Sequence, residues 1–301
     1  MADRTRMQRA FRHVIIHPLQ GAAILLAFAF CRLAPITWGS AFGSFMFRLI
    51  GPRLRGQRVA ERNLKMAFPD LTEQQIDAMI KRVWDNLGRG AGEWASVDLI
   101  DTTGPNSRVT IEGEDIITQL KESGKPFIAF GGHFANWEIG SLIFAQRGLP
   151  LVTIYRPASI PAVEFLFKRI RSRFMAELIP KNRGQMRHII EAVRAGHPLG
   201  IMADQKLNEG IAVPFFGRDA MTPPAPAELA LRYNCPLVPV LAERLPGVRF
   251  RFRILPPLEL PTEGTHEEKV FETLVRMNAV LESWITEHPD QWFWVHRRWP
   301  D

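Results

Sequence analysis

At 301 residues, 46% hydrophobic and 23% charged, the chain has the composition of a folded globular protein, long enough for one large α/β domain or two smaller ones. Its two cysteines, Cys31 and Cys235, stand far apart and form neither a CxxC nor a metal-knuckle spacing, which excludes a disulfide framework. A formal net charge of +7 directs it toward anionic partners: nucleic acid, acidic lipid headgroups or an acidic protein.

The first fifty residues differ from the rest. Arg4, Arg6, Arg9 and Arg12 precede an uncharged stretch from Leu19 to Cys31; Arg32 interrupts, and Ile36 to Phe47 is again uncharged. Neither run alone reaches the ~20 residues that cross a bilayer. A secretory signal peptide is the rival reading, but no small-residue cleavage site follows the apolar run, where Cys31, Arg32 and Leu33 stand. The expectation is a retained membrane anchor or interfacial segment over residues 1–50, with its basic N-terminus on the cytoplasmic side. The main domain is then 51–301.

Helices are predicted over Val59 to Phe68 and Glu73 to Val97, the second opened by Thr72 with Gln75 three residues on as a capping box. From Ser107 the pattern alternates. Strands are expected at Ser107–Ile111, Pro126–Phe130, Leu151–Tyr155, Pro198–Ala203, Leu237–Glu243 and Val248–Leu255. Helices fall at Asp115–Glu122, from about Asn136, at Pro161–Met175, at Gln185–Ala195, after Thr222 as cap, and at His266–Thr286. Such alternation predicts an α/β fold: a mostly parallel sheet flanked by helices, with an N-terminal membrane-associated helical segment. In VRFRFRI the period of two puts Arg249, Arg251 and Arg253 on one solvated face.

Chemistry in such sheets collects at the carboxyl ends of strands. His133, Arg156 and Asp204 each follow a predicted strand. His133 and Glu138 form an H-x4-E pair within GGHFANWEIG. About one such pair arises by chance in a chain of this composition. His296 and Asp301 make a second. Two full helical positions five apart would face about 140° away from each other. With His133 in the turn and Glu138 in the first helical turns, however, the carboxylate reaches the ring, accepts the Nδ1 proton and frees Nε2 as a general base. A capping or core histidine is the bland alternative. His266 in THEEK lacks the HExxH spacing and a third ligand, so no metal is expected. GRGAG at 88–92 sits in a helical pattern without GxGxxG spacing, so no dinucleotide site is expected.

GGHFANWE resembles the signature of the glycerolipid and lysophospholipid acyltransferases, and its surroundings resemble one branch, the late acyltransferases of lipid A biosynthesis. The matching blocks are RNLKMAFPDL, IYRP, MADQK, PFFG and QWFWVHRRW, in the family's order after residue 55. One departure is Glu138, where the wider superfamily usually carries Asp. The resemblance implies an O-acyltransferase of the bacterial inner membrane, at its cytoplasmic face. It would move a fatty acyl chain from acyl carrier protein to a hydroxyl of a lipid A precursor, without cofactor or nucleic acid. His133 would be the general base and Glu138 its partner. Tyr155, Arg156, Arg183, Asp204 and Gln205 would bind substrate, with Arg156 and Arg183 on phosphate and Asp204 and Gln205 orienting the acceptor sugar or the surroundings of His133; a surface arginine for Arg156 and a structural hydrogen-bonding role for Asp204 and Gln205 are the alternatives. Consistent with direct transfer, the chain has no GxSxG elbow. The basic run Lys168, Arg169, Arg171 and Arg173 would dock the acidic carrier or a membrane surface. Another glycolipid, a lysophospholipid or an aminolipid as acceptor would leave the same catalytic residues; a non-catalytic basic peripheral membrane or nucleic-acid-binding protein is the reading from another class.

Overall fold

The computed structural model describes residues 17–181 and 184–300; Arg4, Arg6, Arg9, Arg12, Arg183 and Asp301 lie outside them. Two uncharged runs become two helices, α1 (His17–Leu33) and α2 (Ile36–Ile50), broken at Ala34 and Pro35. Then come α3 (Arg55–Ala67) and α4 (Glu73–Trp94), the latter opened by the predicted capping box of Thr72 and Gln75. Among the described residues no helix is long and apolar enough to cross a membrane.

α2 lies on α4 with almost no side chain between them. A Cβ placed on Gly43 would stand 2.0 Å from the Gly88 carbonyl oxygen, and one on Gly92 2.0 Å from that of Gly39. GRGAG thus serves close helix packing, which only glycine permits. Ser40 and Ser44 on the same face of α2 donate hydrogen bonds to Glu93 (2.7 Å) and Asp85 (2.5 Å) of α4.

The α/β part follows as β1 (Val109–Glu112), α5 (Glu114–Ser123), β2 (Ile128–Gly131), α6 (Glu138–Gln146), β3 (Val152–Tyr155), α7 (Pro161–Arg171), β4 (Glu177–Pro180), α8 (Gln185–Arg194) and β5 (Leu199–Met202). It continues with β6 (Ile211–Phe215), β7 (Arg218–Thr222), α9 (Ala225–Tyr233), β8 (Leu237–Leu245), β9 (Arg249–Ile254) and α10 (His266–Glu287). Seven strands form one sheet in the order β1-β9-β8-β2-β5-β3-β4. Neighbours run parallel except β8 and β9, which form an antiparallel pair. Alternate residues along β2 and just before it enter different cores: Ile128 and Phe130 join the cluster with α4, α9 and α10, while Phe127 and Ala129 join the one with α5 and α6. Helices therefore cover both faces, and β2 at the centre is buried throughout.

One expectation needs correction, and one hairpin was not foreseen. Thr222 ends β7 rather than capping a helix; the helix begins only at Ala225, after Pro223 and Pro224. β6 and β7 form a hairpin outside the main sheet, turned by Phe216 and Gly217 at φ of 51° and 66°. Helix α6 starts at Glu138, close to the expected start near Asn136, after a left-handed φ of 45° at Ala135. In β9 the alternation holds: Phe250 and Phe252 are buried, while Arg251 pairs with Glu243 and Arg253 with Glu287.

Candidate active site

β2 and β5 are parallel neighbours with Gly131 opposite Met202. Each chain leaves the sheet in step, since Ala203 N–H donates to the Gly131 carbonyl (2.9 Å). Two residues beyond each strand stand His133 and Asp204. Register alone thus brings together side chains that are seventy-one positions apart in sequence. The sheet can close this tightly here because residue 131 has no side chain; a Cβ would lie 2.6 Å from the Val240 carbonyl oxygen of β8.

Asp204 is buried, with one carboxylate oxygen 2.7 Å from His133 Nδ1. Its other oxygen accepts from the His133 backbone N–H and from Trp292 Nε1–H, both at 2.8 Å. Burial pushes this carboxyl up, but the His133 ring, its N–H groups and the Trp292 indole outweigh that and hold it down at about 2. Asp204 is therefore an anion at neutral pH, and the ring nitrogen facing it must carry the hydrogen. Nε2 is then the lone-pair nitrogen. It points to the half-buried side of the ring, where Gln205 Nε2 stands 3.5 Å away. Trp137 (4.9 Å between centroids) and Phe293 (5.7 Å) wall the imidazole.

Glu138 does not take the position foreseen for it. It is buried at the start of α6 and accepts from Arg171 of α7 through both oxygens, Nε at 3.1 Å and Nη2 closer. The chain takes a left-handed step at Ala135 between them, and the His133 and Glu138 side chains meet different neighbours. Arg171 also stacks on Phe167, so this pair ties α7 to the loop below His133.

The other expected site residues divide. Arg156 follows β3 on the same sheet edge, one strand beyond Asp204, and is exposed. The Tyr155 hydroxyl donates to Glu164 of α7 (2.7 Å) and so braces the turn that carries Arg156. Of the basic run, Arg171 turns inward to Glu138, Arg173 pairs with Asp98 while itself exposed, Lys168 lies 3.3 Å from Glu164, and Arg169 remains exposed. Among the described residues no group of three or more His, Cys, Asp and Glu side chains is placed to hold a metal ion.

The C-terminal segment was not foreseen as part of the site. The Gln291 carbonyl accepts from Ala135 N–H (2.9 Å), Trp292 holds Asp204, Phe293 flanks His133, and His296 Nε2 accepts from Lys206 N–H (3.0 Å). Burial and nearby cations keep His296 below its usual range despite Asp204, which suits an acceptor ring. The density of aromatic residues in QWFWVHRRW was the available signal. Behind the loop, Glu93 is fully buried, pairs with Arg244 and accepts from Asn136 (3.2 Å).

The depressed carboxyl of Asp204 has a direct consequence for acid stability. Its contribution is complete above the ordinary carboxylate value of 3.8 and is lost as pH falls from there toward about 2. Asp204→Asn is expected to remove that component. Urea titrations of both proteins between neutral and acid pH should show a shallower acid decline in the variant; parallel curves would contradict it.

The family described as Bacterial lipid A biosynthesis acyltransferase matches residues 5–301. The lipid A biosynthesis lauroyltransferase of Escherichia coli K12 is 25% identical over 268 residues, covering 86% of this chain and 83% of the relative. A lipid A biosynthesis acyltransferase of Haemophilus influenzae is 24% identical over 294 residues, with 89% of each chain covered. The Escherichia coli palmitoleoyltransferase of the same process is 24% identical over 253 residues, covering 81% of this chain and 78% of the relative.

Proposed function

The chain belongs to the bacterial lipid A biosynthesis acyltransferase family, hence to the acyltransferase class acting on a lipid A precursor, and on that premise we propose that His133 is the general base of direct acyl transfer from acyl carrier protein. His133 Nε2 takes the proton of the acceptor hydroxyl as its oxygen attacks the thioester carbonyl. The tetrahedral intermediate then collapses, the carbon–sulfur bond breaks, and the imidazolium returns the proton to the departing thiolate. The observation that carries this reading is the buried Asp204 carboxylate on Nδ1, which holds the tautomer and balances the imidazolium as it forms. No cofactor enters the step. The reaction is placed at the cytoplasmic face of the inner membrane, where an acceptor lipid and a soluble carrier meet.

Incubating the purified protein with acyl carrier thioesters of several chain lengths and a panel of acceptors, read by mass spectrometry, tests the proposal. A lipid A precursor heavier by one acyl group is expected, with free carrier as co-product. Transfer only to a lysophospholipid, or only from acyl-coenzyme A, would overturn it.

Arg156 is proposed to hold a phosphate of the acceptor. Among the described residues its guanidinium has no hydrogen-bond or ion-pair partner, and it stands on the edge that carries His133. Lysine keeps the charge but loses the two-pronged fork. Arg156→Lys is expected to raise KM for the phosphorylated acceptor roughly ten-fold, with kcat and carrier kinetics little changed. On a dephosphorylated acceptor the two enzymes should converge; an unchanged ratio would remove Arg156 from the site.

A further inference from the structure

We propose that the side-chain amide of Gln205 is a further catalytic group, donating a hydrogen bond to the oxygen that becomes negative as the thioester is attacked. The inference deepens the acyl-transfer reading above and rests on it. Three observations carry it.

The first is a need that the histidine loop leaves unmet. When the acceptor oxygen bonds to the thioester carbon, the carbonyl π pair moves onto the carbonyl oxygen. That anion needs donors already aimed at it. The loop's own N–H groups are engaged elsewhere. His133 N–H donates to Asp204 (2.8 Å), Phe134 N–H to the Gly132 carbonyl (2.8 Å) and Ala135 N–H to the Gln291 carbonyl (2.9 Å). The Asn136 side chain donates away from the ring, to Glu93 (3.2 Å). Trp137 and Phe293 wall the imidazole with aromatic rings, where water is thin and one well-placed donor is worth more than in solution.

The second is which end of the amide faces the base. Gln205 Nε2 stands 3.5 Å from His133 Nε2. The Asp204 carboxylate keeps the ring hydrogen on Nδ1, so Nε2 offers a lone pair. The amide end that faces a lone pair must be the NH2 group and not the oxygen. At 3.5 Å the contact is longer than an ordinary hydrogen bond, which leaves Nε2 open to a hydroxyl. The offset suits the reaction as well. The attacking oxygen sits about 3 Å from Nε2, and the new oxyanion is two bonds beyond that oxygen, so its donor belongs beside the ring nitrogen.

The third is a clamp on both sides of Gln205. Ahead of it, Ala203 N–H donates to the Gly131 carbonyl, and Asp204 accepts from His133 and Trp292. Behind it, Lys206 N–H donates to His296 Nε2 (3.0 Å). His296 is fixed in turn, since its carbonyl accepts from Asn63 of α3 (2.6 Å). The backbone that carries Gln205 is therefore held by β2 and by the C-terminal segment at once. A donor on such a tethered backbone needs little reorganisation when charge develops.

The test uses the full chain and acyl carrier protein loaded with a thioester or with the matching dithioester, whose thiocarbonyl sulfur is a weak hydrogen-bond acceptor. Gln205→Met keeps the length of the side chain and removes the donor. Gln205→Glu keeps the shape and puts an anion where the donor stood, so it gives a second readout if methionine disturbs the packing. On the thioester each variant is expected to lower kcat roughly 10²–10³-fold, with KM for carrier and acceptor little changed. On the dithioester, wild type and Gln205→Met should turn over at nearly the same rate. An equal loss on both donors would overturn the proposal, because a group that only steadies His133 acts on either carbonyl alike. So would a higher KM for the acceptor at unchanged kcat, which would assign Gln205 to the acceptor sugar. Wild-type rates in Gln205→Met would also overturn it and hand the oxyanion to backbone N–H groups at the start of α6. Wild type that transfers no acyl group from the thioester would instead remove the acyl-transfer reading itself, so the two failures are distinguishable.

Discussion

Replacing His133 by alanine is expected to lower turnover by about 10²–10⁴-fold, the usual worth of a positioned general base. Asp204→Asn should fall almost as far. The asparagine keeps the shape, but its amide would face Nδ1 with either a neutral oxygen or an N–H, and the second choice turns the ring so that Nε2 carries the hydrogen. Glu138→Gln is expected to fall least. It leaves the 2.7 Å contact between His133 and Asp204 untouched and instead weakens the buried pair with Arg171. Its loss should appear mainly in the melting temperature, because breaking one partner of a buried ion pair strands the other. Turnover and thermal midpoints measured on all three variants decide the order. If Glu138→Gln were the severe variant in turnover and Asp204→Asn mild, the partner assignment would revert to the H-x4-E reading.

That comparison also marks how far the residues could be read without coordinates. The strands bearing His133, Arg156 and Asp204 were legible because each is a short apolar run between turn residues, and their shared edge follows from the parallel alternation of strand and helix. The capping box at Thr72 was legible because its chemistry is local. The dyad itself was not. Spacing along a chain finds neighbours within one helix turn, whereas Asp204 reaches His133 through the register of two strands. Glu138 is near in sequence, but its carboxylate meets Arg171 of α7 rather than the His133 ring. Strand β4 was missed for a related reason: it is four residues long, lies at the sheet edge and ends on Pro180. The hairpin at Phe216 and Gly217 could have been seen, since glycine after a bulky residue between two apolar runs is turn chemistry.

The glycines of α2 and α4 carry the other large expectation. Gly43→Ala adds one methyl group where the nearest atom is the Gly88 backbone oxygen at 2.0 Å, and both Gly92 N and Gly88 C lie within 3.0 Å. Backbone cannot rotate aside as a side chain does, so the helices must part. Overpacking of this kind costs about 3 kcal/mol, which for a chain of this size lowers Tm by about 5 °C. Gly21→Ala in α1 is the matched control: a Cβ there meets nothing within 4 Å among the described residues. It exchanges a poor helix former for the best one and should gain up to about 1 kcal/mol. The damage from Gly43→Ala should not stay local. Ser40, one turn away on the same face, donates to Glu93, and Glu93 accepts from Asn136 in the loop that carries His133. Parting α2 from α4 therefore releases one contact of the carboxylate that steadies this loop, and turnover measured well below the new midpoint is expected to drop as well. Thermal scans and initial rates on both glycine variants supply the check. Equal midpoints for Gly43→Ala and Gly21→Ala would mean that the two helices are not held at the distance on which this reasoning depends. A lowered midpoint with unchanged turnover would leave the packing intact as an explanation and sever it from the catalytic loop.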